Sequence, residues 1–97
     1  MKKVFLFSFL VVFISCNSYQ KVLKSNDNDA KYNYAVTLFE KESYFKALPL
    51  FDEVASSMKG TENGQSCVLY IAYCNFYLKE YSLSGFYFKN YINYFPN

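Results

Sequence analysis

The sequence predicts an all-α protein built from two helical hairpins, and three observations lead there. The stretch from Ala35 to Val54 returns, with drift, from Ala72 to Tyr91. Displacing the chain by 37 residues sets Ala35 on Ala72, Phe39 on Phe76, Tyr44 on Tyr81, Phe51 on Phe88 and Lys59 on Pro96. Within each copy the apolar residues recur at three- and four-residue steps, the period of an amphipathic helix. Short polar breaks, Lys41-Glu42-Ser43 in the first copy and Lys79-Glu80 in the second, divide each copy into a pair of helices. The repeats are expected over residues 28–60 and 61–97.

Taken in order, the first helix should start near Asn28, where Ser25-Asn26-Asp27-Asn28-Asp29 supplies capping side chains, and run to about Lys41. Tyr34, Ala35 and Leu38 fall on one side of it, and Tyr32, Val36, Phe39 and Glu40 on the other. Two apolar faces on one helix call for two packing partners. Ser43 is placed to cap a second helix from Tyr44 to about Met58, with Ala47, Phe51 and Val54 turned toward the first. Pro49 inside it leaves the Phe45 carbonyl without a helical donor and predicts a kink. Gly60 ends the hairpin, and Thr61 or Asn63 can cap the third helix. Gly64, in the first turn of that helix, should cost roughly 1 kcal/mol relative to Ala. The fourth helix begins near Tyr81 and carries the weak helix formers Ser84-Gly85, which close packing against a neighbour could offset. Paired helices at this period resemble tetratricopeptide repeats, about 34 residues long, with the extra residues placed in the loop between copies. Asn75 and Ser84 stand where that pattern usually has an aromatic and an Ala.

Composition narrows the function. The chain has 97 residues, enough for one small domain. A net charge of +2, with no Lys/Arg run of five, gives no reason to expect a nucleic-acid partner. Histidine is absent, which removes the commonest general base and metal ligand. Cys67 and Cys74 are a heptad apart on one helix, about 10.5 Å along its axis. That separation forbids a disulfide between them, and no second Cys pair exists to complete a metal site. Both read as small buried apolar residues. Asp52 and Glu53 are adjacent and point in different directions, Cys67 has no His to activate it, and no phosphate-binding loop or nucleophile elbow occurs. No enzyme activity and no cofactor are expected, which leaves binding. In a tetratricopeptide-like array the first helix of each pair lines a concave groove. Tyr32, Val36, Phe39 and Glu40 should therefore converge there with Leu69, Tyr73, Phe76 and Tyr77 as a peptide-binding surface.

Residues 1–15 read as a signal peptide: Lys2 and Lys3 precede an apolar run from Val4 to Ile14, interrupted only by Ser8. That run would span about 16 Å as a helix, roughly half a hydrocarbon core. Phe13-Ile14-Ser15-Cys16 resembles a bacterial lipobox, with Phe13 in place of the usual Leu. The resemblance implies that Cys16 becomes the first mature residue and carries a diacylglyceryl group, usually with a further acyl chain on its amine. Two or more acyl chains give stable anchoring. Asn17 rather than Asp follows, and no acidic run does, which points to the periplasmic face of the outer membrane. Residues 16–27 would then be a lipidated polar tether.

Several segments are similar to those of BamD-type outer-membrane protein assembly lipoproteins: Tyr19 through Ser25, Lys31-Tyr32, Lys46 through Phe51, Gly60-Thr61, Tyr70 through Cys74 and Phe86 through Asn90. The resemblance runs from Cys16 to Asn97 and matches the N-terminal portion of that family, so a third repeat would follow Pro96. It implies a subunit of the β-barrel assembly machine that holds unfolded outer-membrane proteins through their aromatic-ended targeting segments and passes them to partner subunits. Two rival readings are a glycan-binding tetratricopeptide lipoprotein of the outer membrane and a general adaptor in the cell envelope. The first of these usually relies on Trp, which this sequence lacks.

Overall fold

A computed structural model of the chain describes residues 18–94, and these residues are helical with no strand among them. The expected signal peptide, Cys16 and the closing Phe95 and Pro96 lie outside the described residues. Helix α1 covers residues 18–24. Then follow α2 (Asn28–Glu40), α3 (Tyr44–Ser57), α4 (Glu62–Tyr77) and α5 (Tyr81–Tyr94). Helices α2 to α5 pack chiefly on their neighbours in the chain, and α2 also reaches α4.

Local chemistry accounts for the boundaries. Asp27 caps α2, its carboxylate accepting from the Ala30 N–H at 3.1 Å. Thr61, rather than Asn63, caps α4 by accepting from the Gly64 N–H at 3.1 Å. The same hydroxyl donates to the Met58 carbonyl at 2.6 Å, which ties α4 to the end of α3. Ser43 precedes α3 as expected, yet its side chain makes no capping bond. Its backbone is used instead: its N–H donates to Leu38 O at 2.8 Å and its carbonyl accepts from Ala47 N at 3.0 Å.

The repeat seen in the sequence extends to the backbone. Helices α3 and α5 are each 14 residues long, and their ends are related by the same displacement of 37 as the landmarks. In the first turn Glu42 N donates to Phe39 O at 2.9 Å and Ser43 N to Leu38 O at 2.8 Å. In the second, Lys79 N donates to Phe76 O at 3.0 Å and Glu80 N to Asn75 O at 2.8 Å. This is the Schellman arrangement, which places one residue in the left-handed region. Here those residues are Glu42 (φ 64) and Lys79 (φ 67). A side chain there costs roughly 1–2 kcal/mol, partly offset because Gly would gain more freedom on unfolding. Glu42→Gly and Lys79→Gly are therefore each expected to raise Tm by a few degrees, a net gain of up to about 1 kcal/mol. Thermal melts followed by circular dichroism test this, and a lowered Tm in both variants would contradict it.

The core lies where α3 is held between α2 and α4. Leu50, Phe51 and Val54 of α3 are fully buried with Ala35 of α2 and Cys67 and Cys74 of α4. Small residues let the paired helices approach. Ala35 and Ala47 are buried in the first hairpin, and Ala72 and Ser84 occupy the equivalent places in the second. The Ser84 hydroxyl, which an apolar contact would strand, donates to the Ala72 carbonyl at 2.9 Å. Asn75 is also buried, and its amide donates to Ile71 O at 2.9 Å. Helix propensity alone makes Gly64 a defect, but the structure gives it a purpose: a Cβ there would come within 2.1 Å of the Met58 carbonyl oxygen. Gly85 is different, with open space where a Cβ would project. Ser84, and not Gly85, makes the close contact of that pair.

The segment expected as a polar tether is helical over residues 18–24, and Val22 and Leu23 pack against the core. The Tyr19 hydroxyl donates to the Lys46 carbonyl in α3 at 2.7 Å. Helix α3 runs without a break through Pro49, whose ring is exposed.

Candidate functional site: an aromatic recess between α2 and α4

The two apolar faces of α2 find the two partners that the sequence calls for. One face, through Ala35, packs on α3. The other carries Tyr32 and Phe39 to the rings of α4. Phe39 stands edge-on to Tyr70 at 5.0 Å between ring centroids and to Tyr77 at 6.2 Å. Tyr32 stands edge-on to Tyr70 at 6.3 Å. Beneath them Phe51 stacks on Tyr70, centroids 4.6 Å apart and planes 3° from parallel. At the end near the first turn, Tyr44 stacks on Tyr77 at 4.6 Å. Edge-to-face and offset-stacked rings are the arrangements that the aromatic quadrupole favours, so the cluster is a stiff wall.

These rings border an open recess of about 410 Å³. Tyr32, Phe39, Leu69, Tyr73 and Tyr77 line it, which brings together five of the eight residues expected in the groove. The other three are placed elsewhere. Val36 is half-buried against the core, Glu40 is exposed at the end of α2, and Phe76 packs on Tyr77 and Tyr81 at 5.5 and 5.6 Å. Phe76 shares a helix face with Leu69, seven residues earlier, but its ring packs on Tyr77 and Tyr81 and does not line the recess. Ser66 and Tyr70 are lining residues that the groove assignment omitted. Their spacing from Tyr73 and Tyr77, three, seven and eleven residues, was the available signal. Burial, then the neighbouring Tyr32, Glu40 and Cys67, push the Tyr70 hydroxyl above its ordinary pKa, so it stays protonated and able to donate. The recess thus offers ring faces, the Leu69 side chain and hydroxyls. It suits an apolar or aromatic side chain whose backbone hydrogen-bonds at the rim.

A second and larger recess of about 600 Å³ lies among the later turns of α3, the start of α4 and the end of α5. Asp52, Ser56 and Lys59 line one side, and Val68, Ile71, Tyr87 and Tyr94 face it. Nothing in the sequence reading anticipated it, although Asp52, Ser56 and Lys59 follow helical spacing. Partial burial raises the Asp52 carboxyl above its usual range. Its neighbour Glu53 pairs with Lys31 of α2 at 2.6 Å.

The cysteines behave as core residues. Burial first, and the charge of Asp52 second, push both thiols up to about 12 from 9.0. A pKa raised on folding means that the unfolded chain loses these protons first. The resulting stability is complete below about pH 9 and is lost as pH rises toward about 12. Native protein at neutral pH is therefore expected to resist alkylation at Cys67 and Cys74, and Tm should fall steeply in that alkaline window. Fast labelling of the folded protein, followed by mass spectrometry, would contradict this.

Among the described residues no group of three His, Cys, Asp or Glu side chains could hold a metal ion, and no helix is long and apolar enough to cross a membrane. No family model, curated protein or solved structure matches the chain.

Proposed function

We propose that this chain is a lipid-anchored subunit of the β-barrel assembly machine at the periplasmic face of the outer membrane. Its groove would bind the aromatic-ended targeting segment of an unfolded outer-membrane protein and aid its folding and insertion. The observation that carries the reading is the recess: Tyr32, Phe39, Leu69, Tyr73 and Tyr77 line one aromatic hollow between the first helices of the two hairpins. A tetratricopeptide-like array uses that position for peptide binding, and the bond-for-bond repetition of the two turns supports such an array. Cys16, outside the described residues, would carry the lipid.

A fluorescent peptide ending in Phe tests the groove. Tyr73 is 40% exposed and lines the recess, so a bound ring would cover it. Tyr73→Ala is expected to weaken binding by roughly 1–3 kcal/mol, the range of an interface anchor. Phe76→Ala, whose ring supports Tyr77 but does not line the recess, should weaken it less. Equal affinity for wild type and Tyr73→Ala, with helicity retained, would remove the groove from the reading. Recovery of a β-barrel assembly subunit with the tagged, membrane-extracted protein tests the partner.

A further inference from the structure

We infer that the face formed by Tyr19, Phe45, Lys46 and Pro49 lies against the lipid surface that anchors the chain, so that the first hairpin rests on the membrane. This rests on the proposed acylation of Cys16. The chain that follows Cys16 is held to the body of the protein. Tyr19 is bonded through its hydroxyl to the Lys46 carbonyl at 2.7 Å, and its ring meets Tyr34 edge-on at 6.4 Å. Val22 and Leu23 are packed against the core. Tyr19 is three positions beyond Cys16, and a fully extended chain covers at most about 11 Å over that distance. Acyl chains on Cys16 sit in the hydrocarbon layer, with their glyceryl group at the headgroup level. Tyr19 and whatever surrounds it must then lie within the interfacial region or just above it.

What surrounds it fits that position. Tyr19, Gln20, Phe45, Lys46 and Pro49 border a shallow hollow of about 220 Å³. Phe45 is 79% exposed, the most open of the large apolar side chains in the described helices. It stands at the start of α3, where a core-facing role is already filled by Ala47, Leu50 and Phe51. An exposed ring beside an exposed Pro is poorly placed for water and well placed for the acyl boundary. Lys46 borders the hollow and Lys21 lies exposed on α1, while Glu53, whose charge reaches Tyr19, is paired with Lys31, so the remaining nearby charge is complementary to anionic headgroups. The tether and the charge together single out lipid as the occupant.

The chain contains no Trp, so Phe45→Trp introduces a sole reporter at an exposed position. The full acylated protein, extracted from bacterial membranes, is reconstituted into vesicles of phosphatidylethanolamine and phosphatidylglycerol with brominated acyl chains. Phe86→Trp on α5, where the native ring is 57% exposed, serves as the comparison. The emission of the Phe45→Trp protein is expected to shift to the blue and lose at least half its intensity to the bromines, while that of Phe86→Trp stays water-like. If acylated protein floats with the vesicles and the Phe45→Trp emission is unquenched, the inference fails and the lipoprotein reading stands. Equal quenching of both variants also overturns it. Protein with no acyl mass on Cys16 that does not float would overturn both readings.

Discussion

Phe51→Ala is expected to lower Tm by more than about 12 °C and to loosen the recess as well as the core. Phe51 is fully buried and touches three other rings: stacked on Tyr70 at 4.6 Å and edge-on to Tyr32 and Phe39 at 6.4 and 6.5 Å. Truncating such a side chain removes its transfer free energy and leaves a cavity, together about 3–5 kcal/mol. A domain of this size has roughly 4–12 kcal/mol in hand, so most of the margin is involved. At about 4–8 °C per kcal/mol, the lower end of the loss already gives the stated shift. Phe51→Leu should do less, since it keeps much of the volume and gives up mainly the ring pairings, each about 0.5–1.5 kcal/mol. Because Tyr70 rests on Phe51, its ring should tilt when that support goes, and peptide affinity should fall even under conditions where Phe51→Ala remains helical. A shift below about 4 °C for Phe51→Ala would mean that the stacked pair is not a main support of the fold.

The helices themselves were legible, and so were Tyr32 and Phe39, though not Val36 or Glu40, as residues that α2 directs at its second partner. Both follow from periodicity and from capping chemistry, which are local. Asp27, Thr61 and Gly60 mark their boundaries as such residues usually do. The turns were placed correctly by their polar breaks, but not their conformation: Glu42 and Lys79 occupy positions where Gly is the common signal, so only the repeat relates them. What escaped the sequence needed neighbours in space. Tyr70 reads as one aromatic among many until Phe51 is found stacked beneath it. Phe76 shares a repeat position with Phe39 yet lies outside the recess, because Phe39 faces α4 as the next first helix and Phe76 meets Tyr81 instead. The docking of residues 18–24 was hidden behind the polarity of the segment, since Val22 and Leu23 are too few to make a periodic pattern. Gly64 was misjudged for the same reason, as its obstacle belongs to the preceding helix.

Gly64→Ala and Gly85→Ala are expected to change stability in opposite directions. On helix propensity alone the two are equivalent, each replacing Gly inside a helix with the best helix former, a gain of about 1 kcal/mol. Gly85 has nothing within 4 Å of the projected Cβ, so that gain should appear nearly whole, as a rise in Tm of several degrees. At Gly64 the projected Cβ meets the Met58 carbonyl oxygen at 2.1 Å and its carbon at 2.9 Å. Neither is the movable end of a side chain. Both belong to the backbone residue that ends α3 and accepts the Thr61 hydroxyl, so the first turn of α4 would have to move off α3 and strain its own cap. Overpacking of this kind costs typically 1–3 kcal/mol, enough to cancel the propensity gain and reverse its sign. Gly64→Ala should therefore melt below wild type, with the loss centred on the α3–α4 joint. Hydrogen exchange would locate it there, as faster exchange of the Gly64 and Gln65 amides, which donate to Thr61. A Gly64→Ala protein as stable as Gly85→Ala would mean that α3 and α4 do not approach this closely, and with it the packing that places Tyr70 beside Phe39 would have to be redrawn.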